Sequence, residues 1–558
     1  MEQRRIFLVI LLALVGLLLW NNWQKDFPTP KEVPINQEQA QPSVQSSGNP
    51  AAVQNTPLPS NASMALQKVG ASPANRTIHV RTDVLDVTID TLGGDIMKVA
   101  LPKFPLTPKD PNVPYVLLND QPATRYIAPS RLIGTLGGKA AQGPVQYQVA
   151  QRDYTLADGQ NKIDVALTYQ DPHGLIVTKT YAFTRGKYTI GVNYAVDNHS
   201  QQTWNGHLSA QISRIPVEPP KSMFVISSGL YAAYSTSQKA YEKLKFNNLK
   251  KTSLDQTTND GWIAMTQRYF LSAWIPSTGQ SHQFYTRAEG DLYTIGFTGP
   301  NLTAPPQGQV AASATFYAGP EDTDILKTVA PHLDLTIDYG WLWFISMALF
   351  WLMNEIYKVV GNWGWSIILV TVVVKALFYQ LSAKSYRSMA KMRVLQPKME
   401  ALKERYGDDK QKISQATMEL YRKEKVNPVS GCLPMLVQIP VFIALYWVLI
   451  DSVQLRQAPF ILWIHDLSVM DPYYILPIIM GLTMYLQTFL NPPSPDPTMN
   501  KVTKLMPVMF TFFFLHFPSG LVLYWIVNNV LSILQQWYIM RKYSQNVPVH
   551  SHKSKKKK

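Results

Sequence analysis

The 558-residue chain is 46% hydrophobic and 16% charged, with a formal net charge of +15. That length exceeds what one core supports and suits a membrane part joined to a soluble part, while the basic excess points to anionic lipid, nucleic acid or ribosome, according to where the charge lies. A single cysteine, Cys432, excludes an intrachain disulfide, so an exported domain would be held by packing alone.

Residues 6–20 are apolar apart from Gly16, follow Arg4 and Arg5, and show no small-x-small cleavage site before Asn21 and Asn22. This is the pattern of an uncleaved signal anchor, 1–21, with its N-terminus in the cytoplasm. Residues 22–76 are punctuated by Pro28, Pro30, Pro34, Pro42, Pro50, Pro57 and Pro59 and hold too few large apolar side chains to pack, so they read as a flexible periplasmic tether. From 77 to 338, apolar and polar residues alternate in short runs parted by turn residues, as in HVRTDVLDVTID before TLGGD and in KYTIGVNYAVDN. These strand signals recur at hairpin spacing and predict a large β-sandwich with one short helix near 321–329. His173, His207, His282 and Glu289 fall in this region in no metal-ligand or nucleophile pattern.

Residues 340–360 (GWLWFISMALFWLMNEIYKVV) are apolar but carry Asn354, Glu355 and Lys358 before a Gly-Asn-Trp-Gly break at 361–364. A span here would leave almost no turn before the next run, so 339–363 predicts an interfacial amphipathic helix with its tryptophans at headgroup level. The run 365–381 has the apolarity of a bilayer span and is interrupted by Lys375. A lysine at the centre of a lipid-facing helix costs about 2.5 to 3.5 kcal/mol on insertion scales. Either its stem snorkels to a headgroup, or it faces a water-filled cavity inside the membrane. Thr371, Lys375 and Tyr379 recur at i, i+4 and i+8 on one helical face, extended loosely by Ser382 and Tyr386.

Residues 384–425 hold about twice as many Lys and Arg as Asp and Glu. Met389, Met392, Leu395, Met399, Leu402 and Tyr406 form one helical stripe, and after Gly407 a second appears at Ile413, Ala416, Leu420 and Tyr421, which predicts a cytoplasmic helical hairpin. Its methionines either pack helix on helix or offer adaptable apolar contacts to varied clients. Apolar runs follow at 431–450, 473–490, 502–517 and 520–540, the last two parted only by Pro518 and Ser519. Pro434, Pro440, Pro477 and Pro507 are expected to bend them, and Gln438, Asn528, Asn529 and Gln535 add polar groups that lipid disfavours. With the anchor this makes six spans, five of them in a core at 364–540. The hairpin, Lys501 and Lys504, and the basic tail 541–558 then fall inside, and 451–472 with its lone Arg456 falls outside. The β-domain is thereby placed in the periplasm and both termini in the cytoplasm.

The runs AKMRVLQPKMEALKERYGDDKQKISQATMELYRKEKVNPVSGCLPMLVQIPVFIALYWVL, LRQAPFILWIHDLSVMDPYYILPIIMG and FPSGLVLYWIVNNVLSILQQ closely resemble the YidC family of membrane protein insertases of Gram-negative bacteria. The likeness is dense from about 338 to 541, and the order of anchor, tether, β-domain and five further spans fits the rest. It implies a polytopic α-helical inner-membrane protein of six spans with a large periplasmic all-β supersandwich domain, similar to galactose-mutarotase-like folds. It further implies an insertase and chaperone of nascent inner-membrane proteins, acting alone or with the Sec translocon (SecYEG, SecDF). Ribosome contacts through the hairpin and tail, contacts with membrane lipids, and no cofactor, metal or catalytic residue complete that expectation. In the family a groove open to cytoplasm and lipid carries one positive charge, usually Arg; Lys375 stands at that position, keeping the charge without the bidentate fork. Thr371, Tyr379, Gln438, Tyr524 and Trp525 match other positions lining or stabilising that groove.

Two rival classes carry less. A solute transporter or channel would also place a charge in a midplane cavity, but it would show internal repeats, and the six runs show none. A periplasmic carbohydrate enzyme would need an acid/base pair that no constellation in the β-domain nominates, and no GxxxxGK[ST] phosphate loop occurs.

Overall fold

The computed structural model describes residues 74–140, 144–217, 230–251, 253–407, 409–424, 426, 433–491 and 497–544. The signal anchor, the tether up to residue 73, Cys432 and the tail from 545 lie outside the described residues.

Period-two alternation makes the first half a β-structure. A nine-stranded sheet runs in the order Glu242–Leu244, Leu230–Thr236, Gly261–Gln267, Phe270–Pro276, Gln309–Pro320, Thr189–Asn198, Leu175–Thr184, Lys162–Gln170 and Gln148–Val149. An eight-stranded sheet is built around Trp204–Arg214, which pairs antiparallel with Leu292–Thr298 on one side and Ser130–Leu136 on the other. A five-stranded sheet ends in a parallel pair, Thr77–Arg81 with Asp153–Thr155. Strand Leu175–Thr184 turns Leu175, Val177, Lys179, Tyr181 and Phe183 inward on one face. Large rings fill the interior, Trp262, Trp274, Tyr194, Phe284, Phe297 and Tyr317 among them. Their polar ends are satisfied across the layers: Trp274 Nε1 donates to Gln211 O at 3.0 Å and Tyr126 OH to Met265 O at 3.0 Å.

Lys179 is the unexpected member of its row. It is completely buried between the rings of Tyr181 and Tyr194, 5.0 and 5.2 Å from their centroids. Its Nζ donates to Gly94 O at 2.5 Å and Ser130 O at 2.8 Å.

Helix α1 (Phe246–Leu249) is a single turn, and α2 (Thr323–Val329) occupies the place where the sequence predicts one helix. Asp322 caps α2 by accepting from the amides of Asp324 and Ile325 at 2.9 and 3.2 Å. Helix α3 (Trp343–Val360) buries Ser346, Leu349 and Met353 and exposes Trp343 and Trp351, an amphipathic division. Gly361, at φ 68°, ends it in the left-handed conformation that glycine adopts without strain. Asn362 then opens α4 (Trp363–Leu377) by accepting from Trp365 N at 3.2 Å.

The run 365–381 is not one straight helix. It breaks at Phe378, and α5 (Tyr379–Val394) leaves at 67° to α4. The break falls where a mostly apolar run, interrupted by Lys375, gives way to Gln380, Ser382, Lys384 and Ser385, so the chain turns where polar side chains become frequent. The predicted hairpin is built from three helices, the end of α5, then α6 (Gln396–Tyr406) and α7 (Lys410–Lys423). Tyr421 OH donates to Met399 Sδ at 3.1 Å, and Met392, Leu395 and Val426 form a small core, so part of the methionine stripe packs helix on helix.

Helices α8 (Leu433–Asp451), α9 (Ile475–Thr488), α10 (Pro497–Phe514) and α11 (Ser519–Ser544) complete the fold. Among the described residues no single helix is long and apolar enough to cross a membrane; α4 and α5 together reach that length and hydropathy as a bent pair. In α11 the cause is visible in the chain, because Asn528, Asn529, Gln535 and Gln536 dilute its apolar residues. The loop after α8 holds the β-structure: Arg456 Nη2 donates to Pro105 O at 2.8 Å and Leu106 O at 3.2 Å, and Gln454 Nε2 donates to Asp322 Oδ2 at 2.9 Å.

Candidate functional site

Lys375 lies in the last turn of α4 and is half-buried. Its Nζ donates to Ser532 Oγ of α11 at 2.7 Å and to Gln438 Oε1 of α8 at 3.4 Å. Each acceptor is itself held. Ser532 Oγ donates back to Asn528 O at 2.7 Å, and Gln438 Nε2 donates to Asn528 Oδ1 and, at 3.4 Å, to Tyr524 OH. The ammonium is thus held by neutral oxygens alone, and among the described residues no carboxylate lies within ion-pair distance of it.

Beside this network is a small hollow of about 20 Å³, walled by Val374, Phe378, Leu381 and Ser382 on one side and Val437, Gln438 and Val441 on the other. An apolar wall with one cation strengthens any electrostatic attraction that enters it, because the local dielectric is low. The arrangement supplies attraction and hydrogen bonds. Among the described residues no group of three or more His, Cys, Asp or Glu converges as a metal site.

The six residues singled out in the sequence divide. Lys375, Gln438 and Tyr524 belong to the network. Thr371 is buried on the same helix, but its Oγ1 donates to Ile367 O at 2.7 Å, so its hydroxyl serves its own helix. Trp525 is half-buried against Phe442, edge to face at 4.8 Å, and supports α8 from the side. Tyr379 is 42% exposed, and it meets α11 through its backbone, where its carbonyl accepts from Gln535 Nε2 at 3.2 Å. The 67° bend explains this: an i, i+8 relation keeps one face only on a continuous helix. Ser532 was missed. Tyr524, Asn528 and Ser532 step by four along α11, and that spacing carries the signal.

The family described as YidC periplasmic domain matches residues 77–352, and the family described as 60Kd inner membrane protein matches residues 355–546. A relative from Coxiella burnetii (strain Dugway 5J108-111), named membrane protein insertase YidC, is 48% identical over 100% of this chain and 98% of its own. One from Legionella pneumophila (strain Paris), of the same name, is 50% identical over 98% of each chain, and one from Pseudomonas fluorescens (strain SBW25) is 47% identical over 97% of this chain and 98% of its own. A crystal structure described as an active YidC insertase with its first transmembrane domain resolved aligns at a TM-score of 0.40 with 19% identity, covering 84% of this chain and 93% of that one. Near half identity along essentially the whole length, with both family matches in the same order, places this chain in the YidC family of membrane protein insertases.

Proposed function

We propose that this protein inserts nascent inner-membrane proteins into the lipid bilayer and assists their folding, with the hollow beside Lys375 as the place where a polar segment of the client enters. The observation that carries the reading is a half-buried cation held by Ser532 and Gln438 with no carboxylate partner among the described residues. An acidic stretch of a client offers the missing counter-charge. Its passage is shortened because it starts partway across, while the client's apolar helix slides into lipid. That burial, at about 25 cal/mol per Å² of apolar surface, supplies the driving force, and the membrane potential adds to it for acidic segments.

In this reading the chain spans the inner membrane six times, with both termini in the cytoplasm and the β-domain in the periplasm. The charge pattern of the hairpin, Lys501, Lys504 and Arg541 supports that orientation. The ribosome would approach the basic hairpin and tail, and the Sec translocon would act beside the protein for larger clients. Thr371 and Trp525 serve as supports of the groove wall rather than as contacts for the client.

The test is a charge series at one position. Lys375→Arg should sustain insertion, and Lys375→Glu should reduce insertion of clients with acidic translocated segments by tenfold or more, because attraction becomes repulsion. Solute uptake should be unchanged throughout. Normal insertion of acidic clients by Lys375→Glu would remove the electrostatic step.

A further inference from the structure

A second hollow lies between α9 and α10. It has a volume of about 480 Å³, is open along one side, and is walled by Ile478, Leu482, Tyr485, Val508, Phe512 and Leu515. Several of these apolar side chains are exposed, Val508 at 63% and Phe512 at 71% among them. At the floor the two helices come close together, since a Cβ on Gly481 would stand 1.9 Å from Thr511 Oγ1. That hydroxyl donates to Pro507 O at 2.8 Å, so its proton is used within α10 and the slot is mostly apolar.

Two lysines stand at one end of it. Positions 501, 504, 508 and 511 advance by three and four, which sets Lys501 and Lys504 on the same stripe of α10 as Val508 and Thr511. Both lysines are exposed. From Lys504 to the end of α10 at Phe514 the helix rises about 15 Å at 1.5 Å per residue, close to half of a hydrocarbon core about 30 Å thick. An apolar slot one leaflet deep, topped by two cations, fits a lipid with one chain in the slot and an anionic headgroup on the lysines.

We propose that the groove between α9 and α10 is a binding site for an anionic phospholipid, its phosphate paired with Lys501 and Lys504 and one acyl chain lying against Gly481 and Thr511. The inference rests on the membrane placement proposed above. A zwitterionic lipid would fill the slot equally well but would gain less from the two charges, so the site should select headgroups by charge. A lysine near an anionic surface contributes about 1 kcal/mol, and two together correspond to about thirtyfold in affinity.

The experiment uses the full chain in detergent, offered equal amounts of phosphatidylglycerol and phosphatidylethanolamine, with retained lipid counted by native mass spectrometry. The expected result is one phosphatidylglycerol kept in preference to phosphatidylethanolamine. That preference should fall about thirtyfold in the Lys501→Gln, Lys504→Gln double variant, whose substitutions are on the surface and leave the packing intact. Val508→Trp should fill the slot and lose both lipids. Equal retention of the two lipids, or unchanged retention by the lysine variant, overturns the proposal, as does a photocrosslinker at Leu482 that captures a nascent client helix instead of lipid. Lipid retention is read with no client present, so its failure would leave the charge-reversal test at Lys375 unaffected.

Discussion

Two lysines withdrawn from solvent, Lys179 wholly and Lys375 by about half, use oxygen acceptors to opposite ends. Lys375 meets a serine and a glutamine beside a hollow, whereas Lys179 meets two backbone carbonyls inside the β-core. Burial pushes the Lys179 ammonium down to about 7 from its ordinary 10.5, against a smaller opposing pull from Asp95. The unfolded chain therefore binds more protons than the folded one between those two values. Stability of the β-domain should rise with pH across about 7 to 10.5 and be lowest below 7, with a slope of up to about 1.4 kcal/mol per pH unit. Hydrogen exchange of strand Leu175–Thr184 measured at pH 7 and pH 9 should show this gain in protection, and Lys179→Met should abolish the pH dependence. A variant that kept the same pH dependence would assign it to another group.

At the scale of elements, α4 is placed by a contact that its composition conceals. Gly364, in its first turn, lies under the ring of Phe460 in the loop after α8, and a Cβ there would stand 2.0 Å from Phe460 Cδ2. Asn362 reinforces the same contact by donating from Nδ2 to Phe460 O at 3.3 Å. Overpacking of this kind costs about 1 to 3 kcal/mol. Gly364→Ala should lower the thermal midpoint of the protein, and adding Phe460→Ala should recover part of the loss. Additive losses in the double variant would mean that the two residues do not meet. The 67° bend at Phe378 matters for the same reason, since it brings Leu381 and Ser382 of α5 round to the hollow beside Lys375.

At the scale of the whole molecule, residues 454–457 tie the β-structure to the helices through polar contacts. Arg456 and Gln457 both donate to the carbonyls of Pro105 and Leu106, at 2.8 to 3.3 Å. The guanidinium also lies over the rings of Tyr115 and Phe270, at 5.4 and 5.6 Å. A hydrogen bond to a charged group contributes about 1.5 to 3 kcal/mol. The Arg456→Ala, Gln457→Ala double variant should therefore speed hydrogen exchange in residues 100–107 at least tenfold in nanodiscs. Insertion of small clients should continue, because nothing in these contacts reaches Lys375. Loss of insertion in that variant would tie the β-structure to the groove.

Much of this protein is legible in the chain because the signals are local. Alternation of period two marks the strands from 77 to 320, the stripe from Met389 to Tyr406 marks a helix, and one charge in an apolar run marks Lys375 without any knowledge of its neighbours. Its partner Ser532, 157 residues away, was decided only by the packing of α4 against α11. The bend that exposes Tyr379, the burial of Lys179 in an alternating strand and the seat of Phe460 on Gly364 were likewise settled by tertiary contacts. A periodic pattern states which face of an element is buried. Which side chain from a distant segment meets that face depends on how the elements cross, and that is set by the summed packing of the whole molecule.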